Sequence, residues 1–534
     1  MRQRCALLSV YDKTGIEDFA RALTDAGFRI YASGGTAGTL AAAGIDTVDV
    51  ATLVGGGAIL GHRVVTLSRE IHAGLLARPV PEDVDELDRL GVPFIDLVCV
   101  DLYPLTTEIA RPGATPESVI DKTDIGGPTM LRSAAKGRRI VVSLPEQRAE
   151  VLAWLAAGEP DSDAFRRALA ARAEAVIADY CLESARYHSD GRFDGVVVQA
   201  TQTLKYGENA PQAPAHLLTA PTNDPLALDR LKLLAGTAPS YNNLAEVARQ
   251  IQTVTHIAAG FERNFGAVPC IALGTKHGNA CGAAVGDDPI AVVRTMVMGD
   301  SRAIFGGLVL LNFTVTEEIA GELLTWGVSE GRRVLDAVTA PDFAPAAVQL
   351  LSRKGDKCRF LVSEALGSLG VASLDATPML RQVRGGFLRQ PNYTWVPDLA
   401  APEIGRIGEL SDAQRRDLVL AWAICATSNS NTVTLVRDAG LIGNGVGQQD
   451  RVGCCELALK RAADAGHDAA GAVAASDSFF PRPDGPQTLI DAGVAAIWAT
   501  SGSVRDGETQ ELCRACGVAL WQVPDAIGRG FFGH

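Results

Sequence analysis

The first 150 residues alternate short apolar runs with amphipathic stretches, and this alternation constrains the fold more than any other feature. Apolar runs at 6–10, 28–32, 95–100 and 139–144 read as strands, with helical patterns between them. Strands that alternate with helices predict a mostly parallel sheet with helices on its faces, hence an α/β fold. Ligands of such sheets bind beyond the carboxyl ends of the strands. Four loops are expected there, at residues 11–15, 33–36, 101–104 and 124–128.

The texture of the chain changes near residue 200. Residues 147 to 200 are rich in Ala, Arg and Glu at helical spacing, which predicts a helical connector. Several Gly-rich loops follow from Lys205 onward. We therefore predict two domains, 1–200 and 201–534.

Composition excludes several classes of partner. The formal net charge of −13 makes the chain a poor candidate for a nucleic-acid backbone, although a local site can still bind a small anion. No apolar run reaches about 18 residues and no signal peptide is evident, so no membrane is predicted. The eleven cysteines are scattered without a second pair to complete a zinc site. Free thiols in a reducing cytoplasm, and no metal, are the prediction.

Ser33-Gly34-Gly35-Thr36 stands between a predicted strand and a predicted helix. Glycine allows close backbone approach, the hydroxyls form hydrogen bonds, and a helix N-terminus attracts phosphate. An ordinary tight turn with a capping residue explains the same tetrapeptide, so both interpretations stay open at this point.

Asp124 and Lys136 flank a segment in which Pro128 suits the first turn of a helix. The pattern leaves Asp124 on the loop before that helix and Lys136 about two turns along it. A capping Asp and a solvated Lys are the structural alternative. Tyr103 directly follows a predicted buried strand, where a packed aromatic residue is the structural alternative.

Lys276 and His277 follow an apolar run in the second half of the chain. Histidine can act as a base near neutral pH, and an adjacent ammonium group stabilises developing negative charge. Neighbouring residues of a strand point to opposite faces, so both side chains reach one pocket only if the strand ends there. A structural histidine is the alternative. The aromatic C-terminus at 528–534 is expected to dock rather than to extend into solvent.

In this order, the motifs resemble the AICAR formyltransferase/IMP cyclohydrolase family of purine biosynthesis. The resemblance covers essentially the whole chain. In the first half it rests on residues 9–15, 33–36, 63–67, 71–74, 102–104 and 124–136. In the second half it rests on residues 204–209, 241–244, 276–282, 305–307, 430–431, 443–451 and 476–481 and on His534.

The resemblance implies a first domain with a methylglyoxal synthase-like parallel sheet, which closes the purine ring with loss of water. Tyr103, Asp124 and Lys136 would surround the reacting formamide and carboxamide. The groups that would hold the nucleotide, mainly its phosphate, are Ser9, Lys13, Ser33, Gly34, Gly35, Thr36, Arg63 and Thr66.

For the second domain the resemblance implies two cytidine deaminase-like α/β units without a zinc site. They would transfer a formyl group from 10-formyltetrahydrofolate to the amino group of the aminoimidazole carboxamide ribotide AICAR. His277 would take the proton, Lys276 would stabilise charge, and Asn431 would orient the formyl oxygen. Lys205, Tyr206, Phe532 and His534 would contact the nucleotide. A homodimer is implied, because in this family the transferase site lies across the interface between two copies.

Several motif positions depart from the family pattern. Val65 stands where a phosphate-side lysine is expected, Asp101 replaces an asparagine, Gly530 replaces an arginine, and the run 426–429 lacks its cations. Reacting groups retained beside altered recognition groups suggest one alternative, a diverged paralogue acting on a pyrazole C-nucleotide analogue in nucleoside-antibiotic synthesis. The alternative of another class is a non-catalytic nucleotide-binding regulatory dimer.

Overall fold

The structure, a computed structural model, describes residues 2–60 and 63–533 and divides after Val198 into two compact units. The predicted α/β class is confirmed. Within the described residues no helix is both long enough and apolar enough to cross a membrane. All eleven cysteines are unpaired.

The N-terminal unit is built on a five-stranded sheet in the order β3-β2-β1-β4-β5, and every pairing in it is parallel, as predicted. Its strands are β1 (Arg4–Ser9), β2 (Phe28–Ala32), β3 (Thr47–Asp49), β4 (Leu97–Val100) and β5 (Ile140–Val142). Its helices are α1 (Ile16–Asp25), α2 (Gly34–Ala42), α3 (Arg69–Leu76), α4 (Pro81–Leu90), α5 (Leu105–Ala110), α6 (Pro116–Asp121), α7 (Gly126–Lys136), α8 (Gln147–Ala156) and α9 (Ser162–His188).

The direction of winding reverses between β1 and β4. The chain runs from β1 outward through β2 to β3 on one side, and β4 and β5 extend the sheet on the other. Separate apolar clusters cover the two faces of the sheet, one including Phe19 and Trp154, the other Tyr31 and Met130. A reversal of this kind opens a crevice at the carboxyl ends of the two central strands. The loops after Ser9 and Val100 meet at that crevice.

The C-terminal unit contains a mixed sheet of twelve strands and two separate two-stranded ribbons. Its strands are β6 (Gln199–Leu204), β7 (Ala215–Thr219), β8 (Lys232–Ala235), β9 (Cys270–Lys276), β10 (Asn279–Gly286), β11 (Gly307–Leu311), β12 (Leu335–Ala340), β13 (Arg359–Val362), β14 (Met379–Val383), β15 (Gly386–Gln390), β16 (Gly405–Ile407), β17 (Val433–Arg437), β18 (Gly440–Gly445), β19 (Val473–Ser476), β20 (Ala496–Ser501) and β21 (Ala519–Pro524). Its helices are α10 (Tyr241–Phe265), α11 (Pro289–Met298), α12 (Glu317–Thr325), α13 (Pro345–Leu351), α14 (Asp412–Ala426), α15 (Arg451–Asp464), α16 (Asp484–Asp491), α17 (Asp506–Cys516) and α18 (Asp525–Gly528).

The large sheet consists of two repeats of one pattern. In each repeat an edge strand is followed by a long helix, a hairpin and three helix–strand pairs. The first repeat extends from β8 to β13 and the second from β16 to β21. The strand orders correspond, β10-β9-β11-β12-β13-β8 in the first repeat and β18-β17-β19-β20-β21-β16 in the second. The repeats join where β10 pairs antiparallel with β18. Two like α/β units are what the family resemblance implied.

The long helices α10 and α14 begin in the same way. Ser240 and Ser411 are their N-caps, and each forms a capping box with the third helical residue, Asn243 or Gln414. The two helices pack together in the core, where Gly260 is required because a Cβ atom there would lie 2.7 Å from Val419. The likeness therefore extends from topology to local hydrogen bonding.

Each repeat also closes its hairpin with a two-residue turn. His277 and Gly278 form the turn of the first repeat and Asp438 and Ala439 that of the second, and all four have positive φ angles. Positive φ at both positions is the conformation of a type I′ turn, one of the two usual turns of two-residue hairpins. Asp417, the sixth residue of α14, accepts the backbone N–H groups of Asp438 (3.1 Å) and Ala439 (2.8 Å).

Burial raises the pKa of Asp417 to about 6 from an ordinary value of 3.8. Since the folded state then holds its proton more tightly than the unfolded state, this group's contribution to stability is present at low pH and lost as pH rises from about 4 to about 6. We expect Asp417→Asn to gain stability relative to the wild type across that window, by about 1–3 kcal/mol. Thermal unfolding at pH 4, 5, 6 and 7 measures the change.

Asp412→Asn is the matched control, since Asp412 is an exposed residue in the first turn of the same helix. The pH dependence of its thermal stability should match that of the wild type. Parallel pH profiles for Asp417→Asn and the wild type would contradict the expectation.

Candidate functional site

The carboxyl edge of the N-terminal sheet brings two predicted hydroxyl groups together. Ser9 ends β1, and its Oγ lies 2.6 Å from the Oγ of Ser33. Thr36 Oγ1 accepts the N–H of Val10 (3.1 Å) and donates to the carbonyl of Val10 (3.2 Å). Ser33 is the N-cap residue of α2, yet its side chain makes no capping hydrogen bond. The Ser9 and Ser33 hydroxyls therefore meet at the start of α2, and a helix N-terminus favours an anion.

Lys13 lies over the same loop. Its Nζ donates to the carbonyl of Val10, and its Cε would lie 3.9 Å from a Cβ atom on Gly35. Burial lowers the pKa of Lys13, while Asp101 and Asp12 act in the opposite direction. Lys13 thus supplies positive charge next to the Ser33–Thr36 segment.

Asp101 and Arg148 hold this loop in place, and sequence reasoning missed their role. The backbone N–H groups of Tyr11 and Asp12 both donate to the Asp101 carboxylate, the second over 3.2 Å. Arg148 donates to the carbonyl of Thr14 (2.7 Å) and lies 3.9 Å from the same carboxylate. A carboxylate offers two acceptor oxygens and takes both N–H groups. The available signal was an acidic residue directly after a buried strand.

Asp124 sits at the N-terminus of α7, held from both sides. Its Oδ1 accepts the N–H of Gly127 (2.9 Å), and its own N–H donates to the Oη of Tyr180 (2.7 Å). A Cβ atom on Gly127 would lie 2.5 Å from the other carboxylate oxygen, so only glycine fits there. Burial raises the pKa of Asp124, against the lowering effect of the N–H groups of Gly127 and Tyr103.

Tyr103 and Thr66 complete this side of the site. The ring of Tyr103 packs on that of Tyr11 at 5.3 Å between centroids, and Lys122 Nζ lies 5.8 Å from the Tyr103 ring. Thr66 is buried, with its Oγ1 beside Gly126 at the start of α7. Tyr103, Asp124 and Thr66 therefore lie around one helix N-terminus.

Lys136 is not brought to this edge, which contradicts its prediction as a neighbour of Asp124. It is the last residue of α7, ten residues beyond Gly126, so the two ends of the helix are about 15 Å apart. The helix runs back toward the start of β5, at the amino edge of the sheet. The sequence predicted Lys136 about two turns along this helix, but the helix begins at Gly126 and Lys136 ends its third turn.

Arg63 and Val65 lie on the remaining loop of the site. Arg63 is exposed, 4.0 Å from the equally exposed Asp121. Val65 packs against the apolar cluster on one face of the sheet. The side chain of Val65 therefore contributes to packing and does not supply the positive charge that the family pattern has at this position.

In the C-terminal unit strand β9 ends at Lys276, so His277 lies outside the strand, as the prediction of a shared pocket requires. Lys276 pairs with Asn279 across the hairpin, and His277 stands on the turn with φ at 51°. Lys276 Nζ donates to the carbonyls of Phe305 (3.1 Å) and Gly306 (2.8 Å), while the His277 side chain is exposed. The turn releases the two side chains from the alternation of a strand.

One face of α10 connects the other predicted segments. Asn242, Glu246 and Arg249 are spaced four and three residues apart, which places them on one side of a helix. Asn242 donates to the carbonyl of Glu208 (3.2 Å), in the loop that follows Lys205 and Tyr206. Polar residues at helical spacing on a largely buried helix were the signal that could have revealed this face.

Arg249 is the centre of that face. Its guanidinium donates to Asn429 Oδ1 (2.7 Å), to the carbonyl of Thr427 (2.9 Å) and to Asn279 Oδ1 (3.3 Å). It also lies over the ring of Phe532, 4.2 Å from the centroid. Burial lowers its pKa to about 10. One cation therefore joins the first hairpin, the 427–431 segment and the C-terminus.

Asn431 is held by both ends of its side-chain amide. Its Oδ1 accepts from Arg451 (3.0 Å), and its Nδ2 donates to the carbonyl of Gln448 (3.1 Å). Arg451 in turn pairs with Asp477. An amide nitrogen has two hydrogens, so Asn431 keeps one donor for a ligand.

The last predicted contacts lie on two separate segments. Lys205 Nζ is 5.7 Å from the ring centroid of Tyr206. Phe532 donates its backbone N–H to the carbonyl of Ser428 (2.9 Å), and Ser430 donates to that of Gly533 (3.1 Å), so the C-terminus docks. His534 lies outside the described residues. Among residues 2–60 and 63–533, no group of three or more His, Cys, Asp or Glu could hold a metal ion.

Comparison with known proteins identifies the family. A family model described as the AICARFT/IMPCHase bienzyme matches residues 134–461, more than half of the chain, and an MGS-like domain matches residues 15–129. The chain belongs to the AICARFT/IMPCHase bienzyme family.

Relatives in this family match over nearly the full length. The bifunctional purine biosynthesis protein PurH of Cutibacterium acnes is 37% identical, covering 97% of each chain. PurH of Oceanobacillus iheyensis is 33% identical over 96% of this chain and 97% of its own.

Among solved structures, a crystal structure of ForH aligns with 36% of this chain and 99% of its own at 35% identity, with a TM-score of 0.32.

We expect Arg249→Met to loosen the docked C-terminus. The substitution leaves Asn429 and the carbonyl of Thr427 without their donor, at a local cost of about 1–3 kcal/mol. Amide hydrogen exchange at Ser430 and Phe532 should then accelerate about 5- to 150-fold. Mass-spectrometric exchange with peptide resolution measures it.

Arg263→Met is the control for this experiment, because Arg263 lies on the same helix and donates to the carbonyl of Val396 instead. Equal exchange rates at the C-terminus in both variants would argue against the anchoring role of Arg249.

Proposed function

We propose that the chain transfers a formyl group from 10-formyltetrahydrofolate to the amino group of AICAR and cyclises the product to IMP with loss of water. The observation that carries the proposal is the geometry of the β9–β10 hairpin. Its turn presents an exposed imidazole beside an ammonium group held by two carbonyls. Family membership over the whole length supports both activities.

In the formyl transfer, the amine nitrogen forms a bond to the formyl carbon and the bond from that carbon to the folate nitrogen breaks. His277 takes the proton from the attacking amine and returns it to the leaving folate nitrogen. The Lys276 ammonium and the remaining N–H of Asn431 act on the formyl oxygen, where negative charge develops. Lys205, Tyr206 and Phe532 are proposed nucleotide contacts.

In the cyclisation, the carboxamide nitrogen attacks the formyl carbon and water leaves. Asp124 has a raised pKa at a helix N-terminus, as suits a group that exchanges protons with the substrate. Tyr103 adjoins it as a phenol donor. Ser9, Lys13, Ser33 and Thr36 line an edge suited to the phosphate. Gly34, Gly35, Arg63 and Thr66 are further proposed nucleotide contacts. Lys136 is left out of this mechanism because of its distance along α7.

We further propose that residues 1–200 carry the cyclohydrolase and residues 201–534 the formyltransferase. His277→Ala should lower the kcat of formyl transfer by about 10²- to 10⁴-fold and leave cyclisation unchanged. Asp124→Asn should do the reverse. The two steps are assayed separately, with AICAR and folate for the first and with formylated AICAR for the second.

A variant that lowered both activities equally would contradict separate sites. A wild-type preference of tenfold or more in kcat/KM for the imidazole ribotide over its pyrazole analogue excludes the specialised paralogue. Tight ribotide binding without any turnover would favour the regulatory dimer instead.

We propose that the chain works as a homodimer and that the β14–β15 ribbon contributes to the interface. Every residue from 380 to 390 is exposed, and the side chains of Phe387 and Leu388 are 65% and 60% exposed on opposite faces. A two-stranded ribbon open on both faces is not stable by itself. Its arginines, Arg381, Arg384 and Arg389, suit a second copy of a chain with net charge −13.

Replacing Phe387 and Leu388 together with serine should shift the wild-type dimer toward monomer, because the ribbon loses the apolar area that a partner covers. Light scattering coupled to size-exclusion chromatography reports the mass. Val504→Ser is the control, since Val504 is fully exposed elsewhere in the unit. An undiminished dimer in the double variant would exclude this surface.

The cytoplasm is the proposed compartment. Eleven unpaired thiols, most of them buried, support it, because a chain of this kind is kept reduced there.

A further inference from the structure

The two repeats of the C-terminal unit carry a carboxylate at the same position of their long helices. Glu246 is the sixth residue of α10, as Asp417 is the sixth residue of α14. Both face the backbone N–H groups of their repeat's two-residue turn. One position therefore performs one structural task in both repeats.

The two carboxylates differ in what else surrounds them. Asp417 uses both oxygens to accept N–H groups from a turn of Asp438 and Ala439. Glu246 keeps its buried Oε2 without a hydrogen-bond partner. Burial raises the pKa of Glu246, while the charges of His277 and Lys276 lower it.

Closing the turn does not require this arrangement. Asp417 closes an equivalent turn with both oxygens satisfied, whereas a buried acceptor left without a partner is costly. The groups that face Glu246 are cationic or become so: His277 and Lys276 from the hairpin, and Arg249 from its own helix. Of the two equivalent turns, the one that carries a histidine is therefore the one beside which the unpaired carboxylate oxygen, Glu246 Oε2, is buried.

We infer that Glu246 is a positioning residue for formyl transfer, holding the His277 turn and stabilising the imidazolium that forms when His277 accepts the proton. The inference rests on the proposed function of His277. Glu246 does not touch the substrate in this role. It acts through the turn and through its charge, as a buried anion acts on a neighbouring acid–base group.

Glu246→Gln keeps the shape and one acceptor oxygen but removes the charge. We expect the kcat of formyl transfer to fall about 10- to 100-fold, with KM for the ribotide within about twofold. Without the anion the imidazolium is less stable, so His277 stays neutral to lower pH and the acid limb of the pH–kcat profile moves to lower pH. Glu246→Asp, which copies the residue at 417, should retain the wild-type limb.

Asp417→Asn is the matched control within the same chain. It removes the equivalent charge from a turn without histidine, so it should change thermal stability but neither kcat nor the acid limb. Cyclisation should be unchanged in all variants. An acid limb that does not move in Glu246→Gln, or that moves equally in Asp417→Asn, would overturn the inference.

A measurement without turnover separates this inference from the proposed function. The chain has eight histidines, so an NMR titration of labelled histidine, assigned with His277→Gln, reads the His277 pKa directly. Glu246→Gln should move the midpoint of this titration to lower pH, and Asp417→Asn should leave it in place. An unchanged His277 titration overturns the inference even if the wild type transfers formyl groups. A wild type without transfer activity overturns the proposed function even if the titration shifts.

Discussion

The antiparallel pairing of β10 with β18 is the contact on which the proposed formyl-transfer site depends. It joins the two repeats at Ala284 and Gly440 and is extended by the hydrogen bond from Val285 to the carbonyl of Ala439. Because the pairing is antiparallel, the tip of the first hairpin lies beside the open end of the second. Residues 276–279 and 427–431 therefore meet although about 150 residues separate them, and Arg249 bonds to both.

The N-terminal unit solves a similar problem by a different route. Its parallel sheet places the ends of β1 and β4 side by side at the reversal of winding. Asp101 from one loop then holds the backbone of the other. Both units thus use a carboxylate that is at least partly buried to fix the backbone of a loop. The carboxylate is effective because several N–H donors converge on it, and its burial strengthens each bond.

Local chemistry predicted more of the site than of its supports. Ser33, Thr36, Lys276 and His277 stood out as polar residues after apolar runs, and they lie at the end of a strand or in the turn that follows it. Ser9, the last residue of β1, was implied only by the family resemblance. Lys136 did not follow, because three turns of helix carry it to the opposite edge of the sheet. Glu246 and Arg249 were missed. Their helical spacing indicates only that they share a face of α10, and their partners lie on other segments, which no spacing along the chain reveals.

The amino-acid sequence alone determined the α/β class, the parallel N-terminal sheet and the family, since these follow from hydrophobic periodicity and from ordered motifs. Only the tertiary structure decided which of those motifs share a site. It also decided that one carboxylate of a duplicated pair faces a turn that carries a histidine, while its counterpart faces a turn of Asp438 and Ala439. The physical reason is that electrostatic and hydrogen-bond partners are set by distance in space, which pairing between remote strands creates.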